Sequence, residues 1–255
     1  MHTSSRGRAR IGVLVPFTNT NLEADLVMLR PDGVSLHFAR LGGYDADEVP
    51  DEKQMAGLGE APLDEPLHLL MGVRPDIVLY GCTSATLSHG PGFDKDLAAR
   101  VNAMTGAATV TAAGALVHAI RALGVTRVGF ASPYVASLND RAIAFLAGSG
   151  IETVSRADVD GTLGNYGQGE MTPDDVFALG QRADSETAEA IVLSCTDMRS
   201  VEMIGRLETA TGKPVITSNQ ALMHAAFAKL GIAPGAFAPG QLFAQSSAQP
   251  EMTAA

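Results

Sequence analysis

Two cysteines are the residues of this 255-residue chain whose type and setting best suit covalent or acid–base chemistry. Cys82 lies in the sequence GCTS (81–84), and Cys195 lies in SCTD (194–197). Each follows a short apolar run and precedes small polar residues that can begin a helix. Because the N–H groups and positive dipole at a helix start stabilise an anion, we expect thiolate to be accessible near neutral pH.

The pair allows two kinds of chemistry. Thiols on opposite faces of one carbon can divide proton abstraction from proton delivery, or one can add to a substrate while the other protonates it. Asp197 follows Cys195 by two residues, and its charge opposes ionisation of that thiol, so we expect Cys82 to be the more acidic nucleophile. Two cysteines without clustered histidines are an incomplete metal site, and no C-x-x-C spacing indicates a redox dithiol. We therefore expect neither a metal nor a cofactor.

Short apolar runs alternate with helical patterns along the chain. Such runs suit strands buried on both faces of parallel sheets, and the alternation implies βαβ units. The predicted strands are 10–15, 34–40, 76–80, 107–111, 127–131, 152–159, 190–194 and 214–217. The predicted helices are 92–104, 112–123, 137–147, 173–182, 197–211 and 218–230.

The second half of the chain repeats the first. Residues 10–17 match 127–134, residues 77–83 match 191–196, and residues 115–119 match 221–225, in the same order. A duplicated unit implies two pseudo-symmetric parallel-sheet α/β domains, each with its cysteine at the C-terminal end of an equivalent strand, where α/β folds bind ligands. The active site is therefore expected in the cleft between them.

The repeat also suggests domain boundaries. We expect a first domain of residues 9–110 plus 217–245, a second of 111–216, and a flexible tail over 246–255. Residues 161–169 contain four glycines and are predicted to be an irregular loop, either a mobile lid or a surface connection.

Composition excludes several classes of partner. The net charge is −10, aromatic residues make up 5% of the chain and Trp is absent, so nucleic acid and anionic membranes are poor partners. The first apolar run (11–15) is too short for a signal or membrane segment, so we expect a cytoplasmic protein with two free thiols. A small carboxylate remains an acceptable substrate, since pocket donors set the local potential. A homo-oligomer is one expectation for the assembly.

The pattern resembles the aspartate/glutamate racemase superfamily, and within it the maleate cis–trans isomerase, arylmalonate decarboxylase and ectoine-utilisation branch. The likeness covers about residues 10–232. Its motifs are VPFTNT (15–20), GCTS (81–84), SPY (132–134), LSCT (193–196) and PVITSNQ (214–220). The resemblance implies that Cys82 adds to a double bond as a thiolate and that Cys195 handles the proton.

Further site residues follow from this resemblance. Asn19 matches the asparagine of the family's Pro-Ser-Ser-Asn-Thr motif, although the two serines are replaced by Phe17 and Thr18; from the sequence alone it reads equally well as a helix cap. Tyr134 matches the family's site tyrosine, and its alternative is a half-buried packing role. The remaining implied substrate-binding residues are Asn165, from the family's loop, and the hydroxyl donors Thr83, Ser84 and Thr196.

We expect a cofactor-independent two-cysteine isomerase acting on a small mono- or dicarboxylate, with maleate-type cis–trans isomerisation favoured. Arylmalonate decarboxylases have glycine where Cys82 stands, which counts against decarboxylation. The alternatives are a racemase of a small amino or hydroxy acid and, from another class, a non-catalytic protein that binds a small acid. Reactive paired thiols separate the enzymes from the binder.

Overall fold

Two parallel four-stranded sheets form the framework of the protein, as the sequence predicts. The computed structural model describes residues 7–42, 52–159 and 163–248. The first sheet contains β1 (Ala9–Pro16), β2 (Val34–Leu41), β3 (Ile77–Tyr80) and β4 (Ala108–Thr111), in the order β2-β1-β3-β4. The second contains β5 (Arg127–Ala131), β6 (Glu152–Ala157), β7 (Ala190–Leu193) and β8 (Val215–Thr217), in the equivalent order β6-β5-β7-β8. This confirms the α/β class and the internal duplication.

Helices connect the strands. They are α1 (Leu22–Leu29), α2 (Glu52–Glu60), α3 (Asp64–Met71), α4 (Thr83–Leu87), α5 (Pro91–Thr105), α6 (Ala112–Ala122), α7 (Ala136–Gly148), α8 (Gly164–Glu170), α9 (Pro173–Arg182), α10 (Ile204–Thr211), α11 (Ser218–Leu230) and α12 (Gln241–Ala248). One 3₁₀ turn, Val201–Met203, precedes α10. Among the described residues, no helix has the length and apolarity needed to cross a membrane.

The central strands carry the core. Every residue of β3 and β7 is buried, as expected for strands covered on both faces. Each fully buried Val, Leu or Ile stabilises the fold by roughly 1.5–3 kcal/mol relative to its exposure. The C-terminal ends of these strands are thus held by packing on both sides, and the two cysteines follow directly.

Helices α6 and α11 pack between the two sheets. After β8 of the second sheet, α11 crosses back to pack on α1 and on β3 and β4 of the first sheet, and it also packs on α6. The return of α11 to the first sheet agrees with assigning residues 217–245 to the first domain. The exact boundaries of the two domains stay a prediction.

Two irregular regions of the sequence are ordered differently from expectation. Helix α12 continues through Ala248, three residues into the expected flexible tail, and Leu242 and Phe243 anchor it in the core. Residues 249–255 lie outside the described residues. The expected loop at 161–169 is wrong for most of its length, because α8 begins at Gly164. Gly161 lies outside the described residues.

Equivalent glycines in the two halves give a matched stability test. A Cβ at Gly129 would overlap the backbone carbonyl oxygen of Ala183, whereas a Cβ at Gly12 would meet the movable Cδ2 of Leu70 at 2.9 Å. Because backbone yields less than a leucine tip, Gly129→Ala should lower the free energy of unfolding by about 3 kcal/mol and Gly12→Ala by about 1 kcal/mol. Urea denaturation of both variants measures the difference. Equal losses would contradict the packing described for the second half.

Candidate active site

Cys82 lies at the end of β3, where the strand turns into a helix. Its backbone is still extended (φ −131°, ψ 112°), and α4 begins at the next residue, as predicted; Cys82 itself, rather than the expected Thr or Ser, occupies the N-cap position. Gly81 is required before it, because a Cβ there would lie 2.7 Å from the carbonyl oxygen of Leu14 on β1. The Cys82 Sγ lies 3.7 Å from the hydroxyl oxygen of Ser84 in the first turn of α4.

Cys195 lies at the corresponding end of β7, but no helix starts there. The helix predicted over 197–211 is wrong in its first part: residues 196–200 are irregular, and the 3₁₀ turn begins only at Val201. The reason is that Asp197 caps another helix. Its Oδ1 accepts the backbone N–H groups of Thr20 (2.8 Å) and Asn21 (3.1 Å), which precede α1 in the other half of the chain.

A chain of polar contacts joins the two thiols. The Ser84 hydroxyl, beside Cys82, donates to the Tyr134 hydroxyl oxygen at 3.3 Å. The Tyr134 oxygen lies 3.3 Å from the Cys195 Sγ. Four of the residues singled out in the sequence therefore meet, two from each half. The exposed fractions of Cys82 and Cys195 are only 4% and 1%, so this site is closed, and Met55 of α2 covers Ser84.

Asn19 and Thr196 connect the halves beside the thiols. The Asn19 Nδ2 donates to the Thr196 Oγ1 at 3.0 Å, and that hydroxyl donates to the carbonyl oxygen of Gly81 at 2.9 Å. The Asn19 Oδ1 also accepts the N–H groups of Asn21 (3.1 Å) and Leu22 (2.9 Å) at the start of α1. Asn19 thus combines the helix-capping role with contact to the segment after Cys195.

Thr83 extends these connections to the last helix. Its hydroxyl donates to the Ser218 hydroxyl oxygen at 2.9 Å, and Ser218 is the first residue of α11. These contacts link the starts of three helices, α1, α4 and α11, beside the two cysteines. The N–H groups at the start of α1 are taken by Asn19 and Asp197, so it is the positive helix ends that favour anionic groups such as carboxylates here.

Asn165 is buried on α8, with an exposed fraction of 3%, and does not lie on an open loop. One turn later on the same helix face is Gln168, which the sequence did not single out. Its Oε1 lies 3.7 Å from the Cys195 Sγ. The three-residue spacing from Asn165 was the available signal, but the glycines of this stretch favoured a loop over a helix.

The two thiols have different electrostatic environments. Burial raises the pKa of Cys195 to about 12, and the charge of Asp197 adds to this, while hydrogen bonds from Tyr134 and the Asp197 N–H oppose it. Burial also raises the pKa of Cys82, opposed by the N–H of Ala85 and the hydroxyl and N–H of Ser84. The expectation of thiolate near neutral pH is therefore wrong for the closed site, because loss of water outweighs the helix donors. The expected effect of Asp197 on Cys195 is present.

Two duplicated α/β halves with a cysteine at the end of each equivalent strand define a protein of the aspartate/glutamate racemase superfamily. Within it, the family model of arylmalonate decarboxylase matches residues 69–243, and the chain belongs to that family. Among the described residues, no three His, Cys, Asp or Glu side chains come together as a metal site.

The similar proteins and solved structures include several maleate isomerases. The chain is 28% identical to a maleate isomerase of Geobacillus stearothermophilus over 223 residues, covering 82% of this chain and 86% of the relative. It superimposes on a cysteine-to-alanine variant of the maleate isomerase of Pseudomonas putida S16, solved with maleate, with a TM-score of 0.84 at 24% identity, covering 93% of this chain and 98% of that one. A cysteine-to-serine variant of Nocardia farcinica maleate cis–trans isomerase, which holds a covalently bound succinylcysteine intermediate, gives 0.82 at 24% identity, with the same coverage.

The role of Asp197 can be measured through the reactivity of Cys195. Burial raises the pKa of Asp197 to about 6, so Asp197 is ionised wherever Cys195 titrates. In a Cys82→Ser background, Asp197→Asn should lower the pKa of Cys195 by about 1, because it removes a nearby negative charge and keeps an acceptor for α1. The rate of iodoacetamide alkylation against pH gives this pKa.

Asp174→Asn is the matched control, because it removes one carboxylate from an exposed position. It should leave the pKa of Cys195 unchanged. An unchanged pKa of Cys195 in the Asp197→Asn variant would show that the charge of Asp197 does not act on this thiol. The pKa of Cys82 is measured in the same way in the Cys195→Ser variant. If the pKa of Cys195 is the lower of the two, the roles assigned to the thiols are reversed.

Proposed function

We propose that this protein is a cofactor-independent maleate cis–trans isomerase in which Cys82 is the nucleophile and Cys195 transfers the proton. The observation that carries the proposal is the contact chain Cys82–Ser84–Tyr134–Cys195, which joins the two thiols across the two halves. A small substrate held between these side chains has one thiol on each side. The names of the relatives supply the substrate class, a small dicarboxylate with a conjugated double bond.

The first step forms a covalent adduct. Cys82 reacts in its ionised form, which the donors at the start of α4 favour against burial. This thiolate adds to one alkene carbon of maleate, a C–S bond forms, and the π electron pair moves to the neighbouring carbon, where the attached carboxylate accepts the charge. The Cys195 S–H then gives its proton to that carbon. The products are a succinyl group on Cys82 and a thiolate at Cys195. The high pKa of Cys195 keeps it protonated before this step.

The second step reverses the first after a rotation. The former double bond is now single, so the two carboxylate-bearing carbons turn relative to each other. The Cys195 thiolate removes the proton, the electron pair re-forms the double bond, and the C–S bond breaks. Fumarate leaves, Cys82 is again a thiolate, and Cys195 is again protonated. No electrons or atoms are gained or lost overall.

Neutral donors suit the charges that develop in these steps. The N–H groups of Ser84 and Ala85 and the Ser84 hydroxyl favour the Cys82 thiolate. They act to lower the pKa of Cys82, against the rise that burial causes. We assign the substrate carboxylates to the hydroxyl and amide groups predicted from the sequence, namely Asn19, Thr83, Tyr134, Asn165 and Thr196. Donors fixed by the fold need no reorganisation as charge moves, which is how they lower a barrier.

The competing functions fit the site less well. Decarboxylation is disfavoured, because arylmalonate decarboxylases have glycine at the position of Cys82, and a second thiol would exchange protons from the other face. Racemisation requires removal of an α proton without the conjugated acceptor that maleate offers to a thiolate. A protein that only binds a small acid has no need of two thiols linked through Tyr134.

The proposal extends to the protein's surroundings. The net charge of −10 argues against nucleic acid and anionic membranes as partners. The free thiols of Cys82 and Cys195 agree with a reducing, cytoplasmic location. A homo-oligomer stays a prediction.

Proton NMR of maleate incubated with the protein tests the function. The wild type should produce fumarate, and Cys82→Ser should lower the rate on the order of 10³-fold or more. Cys195→Ser should accumulate the succinyl adduct on Cys82, because water can protonate the carbanion but the serine hydroxyl is a poor base for removing that proton again. Intact mass spectrometry should then show one added maleate located on Cys82.

The same experiment in Cys82→Ser is the control, and no adduct is expected there. An adduct on Cys195 in that variant would exchange the two roles. Absence of fumarate with the wild type, together with turnover of an amino or hydroxy acid, would replace isomerisation by racemisation.

A further inference from the structure

Asp25 is a buried carboxylate that lies outside the thiol chemistry described above. It is on α1, and its exposed fraction is 3%. Burial of a carboxylate is costly unless hydrogen-bond donors compensate it. Two donors do so here: the Asn219 Nδ2, at 2.7 Å from Oδ2, and the backbone N–H of Val201. The partners of Asp25 indicate what this buried carboxylate holds in place.

Both partners hold the segment that follows Cys195. Val201 is the residue at which this segment ends and the 3₁₀ turn begins. The Asn219 Nδ2 also donates to the carbonyl oxygen of Thr196, the residue directly after Cys195, at 3.1 Å. Asp25 therefore fixes residues 196–201 near both ends. Because these residues form no helix of their own, such external bonds determine their conformation.

The charge of Asp25 also sets the orientation of the Asn219 amide. The Asp25 carboxylate and the Thr196 carbonyl are both acceptors, so Nδ2 has to face them. The Asn219 Oδ1 is buried and accepts no hydrogen bond among the described residues. A flipped amide would place Oδ1 against two acceptor oxygens. Protonation of Asp25 removes half of this constraint, since a carboxylic acid can donate to Oδ1.

We propose that ionised Asp25 is a positioning residue for Cys195, acting through Asn219 and the backbone of Val201. It does not touch the reacting atoms in this arrangement. It keeps the Cys195 thiol at the place where it reaches both Tyr134 and the substrate. The kinetic consequences rest on the isomerase function proposed above, whereas the positioning itself concerns only this chain.

The pH dependence has a definite sign. Burial raises the pKa of Asp25 to about 7, Glu202 adds to the rise, and Asn219, the Val201 N–H and Arg199 oppose it. Glu202 and Arg199 themselves form an ion pair at 2.7 Å. Because the ionised form holds the segment, turnover should fall as the pH drops through about 7.

Stability responds in the opposite direction. Since the pKa is higher in the folded than in the unfolded state, the folded protein binds more protons between the ordinary carboxyl pKa and about 7. Stability contributed by this group is thus lost as the pH rises through that window. Neutralising Asp25 should therefore not destabilise the protein at pH values above the window, which separates a positioning role from a structural one.

Asp25→Asn is the test variant, because it keeps the shape and removes the charge. We expect kcat to fall roughly 10–100-fold, since a small displacement of a reacting group has such an effect, while KM changes by less than about threefold. The acid limb near pH 7 should disappear from the kcat profile, and the Tm at alkaline pH should be equal to or above that of the wild type. Asp174→Asn removes a carboxylate from an exposed position of α9 and should leave the profile unchanged.

Two results would overturn the proposal. One is a wild-type kcat and pH profile for Asp25→Asn. The other is a loss of kcat that parallels a loss of Tm, which indicates a purely structural residue. If Asp25→Asn does not fold, Asn219→Ala breaks the same connection from α11, and a wild-type kcat in that variant overturns the proposal equally.

Alkylation of Cys195 provides a readout that does not depend on maleate. In a Cys82→Ser background, Asp25→Asn should raise the rate of iodoacetamide alkylation about tenfold, because the loosened segment exposes a thiol that is otherwise buried. Asp174→Asn in the same background is the control. If the wild type does not isomerise maleate, the proposed function fails while this experiment still decides the positioning role: an unchanged alkylation rate rejects it.

Discussion

Docking of the segment after Cys195 onto the start of α1 is the interaction on which the site depends. The Asp197 carboxylate accepts the N–H groups of Thr20 and Asn21, and the Asn19 amide bonds to Thr196. A helix start leaves N–H groups that need acceptors, and here the other half of the chain supplies one. This cross-half capping holds the two strand ends together, so that two similar halves make a single site.

Closure of the halves has an electrostatic consequence. It removes water from both thiols, and this loss raises the pKa of each, most clearly that of Cys195 beside Asp197. A proton donor benefits directly, whereas a nucleophile needs compensating donors, which Cys82 receives from the start of α4. The sequence repeat therefore produces equivalent positions with unequal acidity. This asymmetry is what a reaction with one addition and one proton transfer requires.

Local patterns predicted the framework well, and long-range contacts limited the prediction of the site. The eight apolar runs became eight strands, and α4 begins directly after Cys82 as predicted, because that turn depends on adjacent residues. Asp197 could not be interpreted in this way, since its partners lie 176 and 177 residues away. Gln168 was missed because glycines disfavour an isolated helix, while burial against Cys195 stabilises α8 in the folded protein.

A single cross-linking measurement tests most directly whether the two thiols share one site. The wild type is treated with 1,3-dichloroacetone, a short reagent that alkylates two thiols, then digested and examined by mass spectrometry. The account predicts a bridge between the peptides of Cys82 and Cys195 within one chain, which the single Cys82→Ser and Cys195→Ser variants cannot form. Separate modification of each cysteine in the wild type, without linked peptides, would contradict it.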